Sequence, residues 1–172
     1  MKKLLKNQKG FTLIELLVVI VVLGVLATVI IIAINPLEQI ARARDGGRKT
    51  TLSQLQSAVQ AYYTSHSAVY PTANATWLTT LQSSGELKSP PAATTYTISG
   101  TGACTTNAQN GWCYTTNANG EASVFVRLES SSEKSKCAAG NPYFVFDSSL
   151  NQSCIVCSLA DPTVGTACNA TQ

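Results

Sequence analysis

Few side chains in this sequence combine a type and a spacing that could do chemistry, and the most conspicuous is a lone carboxylate. Glu15 is the one charge among the 24 residues from Phe11 to Ile34, FTLIELLVVIVVLGVLATVIIIAI. An ionised carboxylate near the start of a lipid-facing helix costs about 2–3 kcal/mol to insert. It therefore needs a partner or a task, unless its shallow depth lets it snorkel to the headgroups. The other candidates are weaker. Cys154-x-x-Cys157 has the spacing of a redox pair or half a zinc site, but no second cysteine pair or histidine spacing accompanies it. Asp147-x-Ser149-x-Asn151 has calcium-loop spacing without the bend glycine and terminal glutamate of an EF-hand, so it reads as a turn between two strands. The single histidine, His66, closes a helical pattern beside Tyr62 and Tyr63, a place for capping or surface contact rather than acid–base work. No Ser/His/Asp set, phosphate loop or pair of carboxylates at useful spacing emerges. The expectation is a protein that is not an enzyme, with no metal and no cofactor.

The elements that must position Glu15 are legible. At about 1.5 Å per residue, a helix over residues 11–34 spans about 36 Å, enough to cross a bilayer core. The run is too long for the apolar stretch of a cleaved secretory signal and ends without a small-x-small site. Lys2, Lys3, Lys6 and Lys9 precede it with no acid, which favours a cytoplasmic N-terminus, while Arg42, Arg44, Arg48 and Lys49 argue partly against this from the other side. Pro36 removes a helical hydrogen bond and predicts a kink near Ile34 to Pro36. Beyond it, Leu52, Leu55, Val59 and Tyr62 recur on one helical face. Gly46-Gly47 marks a weak point in that helix. The Arg42 to Lys49 cluster reads as a solvated or headgroup-contacting face, or as a surface that pairs with acids of a neighbouring subunit.

Lys9-Gly10-Phe11-Thr12-Leu13-Ile14-Glu15-Leu16-Leu17-Val18-Val19 resembles the class III signal of type IV prepilins and pseudopilins. The resemblance extends through Asn35-Pro36, Tyr62-Tyr63, Val69-Tyr70-Pro71 and the Trp77 to Pro91 pattern, covering roughly residues 1–91. It implies that a membrane prepilin peptidase cuts between Gly10 and Phe11 and methylates the new Phe11 amine. It further implies that Glu15 pairs with that amine on a neighbouring subunit during assembly. The partners it implies are identical or related pilin subunits in a homopolymer, the prepilin peptidase, the pilus assembly machinery, and membrane lipid before assembly. A single-pass protein of the cytoplasmic membrane would then pass into an extracellular pilus or a periplasmic pseudopilus. The alternatives are a pseudopilin of a type II secretion or DNA-uptake system, or an anchored extracellular domain that never polymerises. Nothing points directly to nucleic acid. The chain has 12 basic and 9 acidic residues, and loss of the four lysines in residues 1–10 leaves eight against nine.

After residue 92 the pattern becomes alternating and β-branched, predicting strands at Thr94–Ser99, Trp112–Thr116, Ser123–Leu128 and Tyr143–Asp147, with a fifth at Ser153–Val156. Asn119-Gly120 signals a hairpin between the second and third. A short helix is expected over Thr76–Leu81. The fold class expected is α+β: a long N-terminal helix, half transmembrane and half amphipathic, packed on a small antiparallel sheet and stapled by disulfides. The expected divisions are a leader over 1–10, a filament-core helix over 11–34, its amphipathic continuation over 35–69, and a head over 70–172 that opens with a connecting loop over 70–93. Six cysteines, Cys104, Cys113, Cys137, Cys154, Cys157 and Cys168, all fall in the head, and an even count in an exported domain implies bridges. Cys104–Cys113, flanking Asn110-Gly111, is the expected local bridge, with Cys137–Cys154 and Cys157–Cys168 as the guess for the rest. Asn74, Asn151 and Asn169 fit glycosylation sequons.

Overall fold

The computed structural model describes residues 10–97 and 102–165. Contacts divide the chain into two units, the first ending at Pro36 and the second beginning at Leu37. The first is a single helix, α1 (Leu13–Ile34), whose described side chains are exposed on every face. Nineteen of its residues, Leu13–Ile31, are long and apolar enough to cross a membrane. Its one internal hydroxyl is already satisfied, since Thr28 Oγ1 donates to the Val25 carbonyl at 2.7 Å. A helix with no polar face suits lipid or a dry bundle, where no water competes for backbone groups. It ends at Asn35, whose left-handed backbone (φ 46°) caps it immediately before Pro36. Proline disfavours the right-handed helical region for the residue ahead of it, which accounts for the break at this position.

The second unit holds α2 (Pro36–Ser65) from Leu37 onward and continues with α3 (Trp77–Ser83), β1 (Cys113–Thr116), β2 (Ala122–Arg127), the single turn α4 (Ser131–Lys134), β3 (Asn141–Asp147) and β4 (Gln152–Ser158). The four strands form one antiparallel sheet in the order β1-β2-β3-β4, a meander needing no crossover. Gly120 (φ 74°) supplies the left-handed position in the β1–β2 turn, where Asn117 and Glu121 close the hairpin through Asn117 N–H to the Glu121 carbonyl at 3.0 Å. The α+β fold, with a long apolar N-terminal helix, an antiparallel sheet and disulfides, is the architecture the sequence pattern leads to.

The apolar face of α2 (Leu52, Leu55, Val59) packs with Trp77, Leu78 and Leu81 of α3 onto Tyr114, Val124, Val126 and Phe146 of the sheet. The alternate residues Phe125, Tyr143, Val145 and Val156 point to the other face and form a second cluster with Cys104 and Cys113. Burial of both faces explains why β2 is an unbroken run of buried side chains up to Val126.

Two expectations need correction. The segment at Thr94 is not a strand over its described residues 94–97, and residues 98 and 99 lie outside the described residues. Its backbone makes single bonds instead of a ladder: Thr94 N–H donates to the Asn110 carbonyl, the Thr95 carbonyl accepts from Arg48, and Thr97 N–H donates to Glu129. The predicted Cys104–Cys113 bridge forms, but Cys137 is bonded to Cys157, not to Cys154, which also overturns Cys157–Cys168. The reason lies in strand alternation. Cys154 and Cys157 are three apart on β4 and so face opposite sides of the sheet. Cys154 lies with the Phe125–Tyr143 cluster, whereas Cys157 shares its face with Ser153, which reaches Gln56 on α2. Cys154 is also disulfide-bonded, and Cys168 lies outside the described residues.

Candidate functional site: the N-terminal segment and the polar face of the second helix

Gly10 and Phe11 precede α1 as exposed, non-helical chain, and a Cβ at Gly10 would meet nothing within 4 Å. Thr12 is the N-cap of α1 and forms a complete capping box with Glu15. Glu15 N–H donates to Thr12 Oγ1 at 3.3 Å, while Glu15 Oε2 accepts from Thr12 N–H at 2.8 Å and from Thr12 Oγ1 at 2.7 Å. The Thr-x-x-Glu signature was available in the sequence but is easily passed over when Glu15 is read only as a charge in lipid. Both bonds to Thr12 fall on Oε2, so Oε1 makes no hydrogen bond among the described residues. A carboxylate has about four acceptor positions, so the capped Glu15 can still take a cationic partner.

The basic cluster past the apolar helix is solvated in part, with Arg42 52% exposed, while Arg48 is buried. Its members are paired within their own chain. The inward stripe of α2 begins with Glu38, Ala41, Asp45 and Arg48 before it turns apolar at Leu52. This polar stripe grips the segment that follows β2. Asp45 Oδ2 accepts the Ser130 N–H at 2.9 Å and Oδ1 the Glu129 N–H at 3.0 Å. Glu38 accepts the N–H groups of Ser131 (2.9 Å) and Ser132 (3.1 Å), the first amides of α4. Arg48, 5% exposed along its side chain, bonds Asp45 at 2.6 Å and Glu129 at 3.2 Å, with its guanidinium 4.2 Å from the centre of the Tyr96 ring. Lys49 pairs with Glu133 at 2.6 Å, and Arg44 lies 3.6 Å from Glu129. Burial pushes the Glu38 carboxyl up, but the Ser131 N–H, Arg42 and the Ser132 N–H outweigh it and hold it at about 2. Glu133 is likewise lowered, with burial outweighed by Lys136 and Lys49. Gly46-Gly47 lies inside this clamp, and α2 runs through it without interruption.

The remaining candidates have structural surroundings. Asp147 Oδ1 accepts from Ser149 N–H and Oγ at the β3–β4 turn, and its Oδ2 accepts from Gly165 N–H. His66 stacks on Tyr62 with ring centres 3.8 Å apart. Asn74 Oδ1 accepts from Thr76 N–H, Asn151 Oδ1 accepts from Gln60, and Asn169 lies outside the described residues. Among the described residues, no group of three or more His, Cys, Asp or Glu side chains is arranged to hold a metal ion.

Compared with known families, residues 5–31 match the prokaryotic N-terminal methylation motif. The chain carries a type IV pilin-like class III signal peptide. The matched residues take in Gly10, Phe11, the capping box and most of α1. No curated protein and no solved structure matches in the corresponding comparisons. The motif supports a type IV pilin- or pseudopilin-like protein and implies, in general, a prepilin peptidase and a pilus assembly machinery as partners. An exposed apolar helix carrying that motif is consistent with membrane anchoring.

Proposed function

We propose that this pilin-like chain is a structural subunit of a type IV pilus-like filament. The leader is cut between Gly10 and Phe11, Phe11 is N-methylated, and the mature chain polymerises through α1. Before assembly α1 sits in the cytoplasmic membrane with the N-terminus cytoplasmic; afterwards the heads form the extracellular surface. The single observation that carries this reading is an apolar helix exposed on all sides whose one carboxylate is held by a capping box with Oε1 left over. A bundle of such helices buries its surfaces at about 25 cal/mol per Å2, which favours cohesion without directing register. Register needs a polar pair, and a cationic Phe11 amine of the next subunit against Glu15 Oε1 supplies one that is strong only when shielded from water. The capping box keeps the carboxylate oriented in the meantime, so little is lost to ordering when the amine arrives.

The test is a comparison of Gly10→Ala and Glu15→Ala with the wild type in cells. Gly10→Ala is expected to keep its leader and stay in the membrane. Glu15→Ala is expected to be cleaved and inserted but to be missing from sheared filaments. Glu15→Ala subunits entering filaments at the wild-type level would remove the pairing role. Filament subunits that retain Met1 would remove the processing step.

A further inference from the structure

Arg127, at the end of β2, sits unlike any arginine of α2. It points to the sheet face of Phe125 and Tyr143, away from α2, and enters none of the ion pairs found among the described residues. Its Nη2 donates to the Asn141 Oδ1, while its Nε is buried with no acceptor. A guanidinium offers five N–H groups in a planar fork suited to a carboxylate; the buried Nε is closed to a ligand, so the Nη N–H groups not given to Asn141 are the ones it can meet.

This side chain lines an open surface cavity of about 450 Å3, shared with Thr105, Thr106, Asn141, Tyr143 and Asp161. Asp161, the acid of the cavity, is already committed. Its Oδ2 accepts from Thr105 N–H (2.7 Å), Thr105 Oγ1 (2.9 Å), Thr106 N–H (2.7 Å) and Thr106 Oγ1 (2.9 Å), and its Oδ1 from the Tyr143 hydroxyl at 3.3 Å. It therefore fixes the walls and has little capacity left for a cation. The Asn141 amide oxygen is taken by Arg127, which leaves its Nδ2 N–H groups as donors beside the guanidinium. What remains open is a donor-rich corner next to hydroxyls, with one fixed negative charge nearby that weighs against a doubly charged anion.

We propose that this cavity binds a small singly charged hydroxy acid, its carboxylate on Arg127 and Asn141 and its hydroxyls toward Tyr143. A hexuronic acid has this chemistry and a fitting size. The site does not depend on whether the chain polymerises. The test is an NMR titration of the full-length 15N-labelled chain in detergent micelles with sodium glucuronate, with glucose and inorganic phosphate as comparators. Glucuronate is expected to give saturable shifts at the Asn141 amide and Arg127 Nε–H, with affinity at least about 10-fold above that of glucose or phosphate. Arg127→Lys should weaken it about 10-fold or more, and Arg44→Lys should leave it unchanged. Should Arg127→Lys misfold, Asn141→Ala must weaken glucuronate in its place. Shifts that do not saturate, equal binding of glucose or phosphate, or a folded Arg127→Lys with unchanged affinity would overturn the assignment.

Discussion

Replacing Asp45 by alanine should be among the most damaging single changes in the head, although the residue belongs to no apolar core. Asp45 is 2% exposed and is the acceptor for two backbone N–H groups, those of Glu129 and Ser130, as well as the partner of Arg48 at 2.6 Å. An orphaned buried donor costs about 1–3 kcal/mol, and breaking a buried charge pair costs about 3–5 kcal/mol. These overlap, because Arg48 retains Glu129 and the Thr95 carbonyl, so a loss of about 3–5 kcal/mol is expected. Arg42 is the control: it also pairs with an acid of α2, at 2.9 Å, but its side chain is 52% exposed. Its partner Glu38 is buried, so the pair is worth more than the ~0.3–0.5 kcal/mol of a fully exposed one, but Glu38 keeps the Ser131 and Ser132 N–H groups, and Arg42→Ala should cost about 1 kcal/mol or less. Both variants can be followed by denaturant unfolding of the full chain in micelles through tryptophan fluorescence. The two tryptophans, Trp77 and Trp112, are both buried. A loss below about 1 kcal/mol for Asp45→Ala, or equal losses for the two variants, would refute the clamp as the device that fastens the start of α2 to the head.

The same clamp makes the head acid-sensitive. Glu38 is held at about 2 and Glu133 is lowered, against an ordinary value of 4.5. Folded-state values below the unfolded ones mean stability that is present above about pH 4.5 and lost as pH falls toward 2. Unfolding midpoints should therefore drop between pH 5 and 3, and Glu38→Gln should flatten the drop; an unchanged slope would count against the assignment. Removing the Cys137–Cys157 bridge by double serine substitution opens a link across a sequence separation of 20 residues, worth about 3 kcal/mol in chain entropy. A midpoint shift no larger than that of a surface double mutant would contradict this. Gly120→Val places a β-branched residue at φ 74° with open space around the new Cβ, so the loss of about 1–2 kcal/mol should be purely conformational. Gly120→Asn should recover most of it in the same unfolding assay.

What could be read ahead of the structure was whatever local sequence determines. The apolar run, the Asn35-Pro36 break, the Leu52/Leu55/Val59 stripe and the Asn119-Gly120 hairpin each rest on neighbours within a few residues. The clamp does not. The local pairs Glu38–Arg42 and Asp45–Arg48 lie at helical spacing, but Asp45 and Glu129 are 84 residues apart, and nothing local shows that the amides of Glu129 to Ser132 come to meet these acids. The same limit applies to the disulfides. Cys104–Cys113 spans nine residues and was legible as a local bridge, whereas choosing between Cys154 and Cys157 required knowing which face of β4 each occupies. The Thr94 segment looked like a strand because its residues are β-branched, and propensity cannot register that Arg48 and Glu129 take its hydrogen bonds. Thr12 was missed for the opposite reason: its signal was local and complete, but it lay beneath a more obvious question about Glu15.

The central claim is that the chain is processed and then polymerised through α1. Mass analysis of the intact protein and its N-terminal peptide, from sheared surface filaments and from membranes of the same cells, tests it most directly. The account predicts filament subunits that begin at N-methyl-Phe11. A chain found only in membranes and still beginning at Met1 would contradict it, leaving a tethered domain whose Glu15 caps a helix and does nothing more.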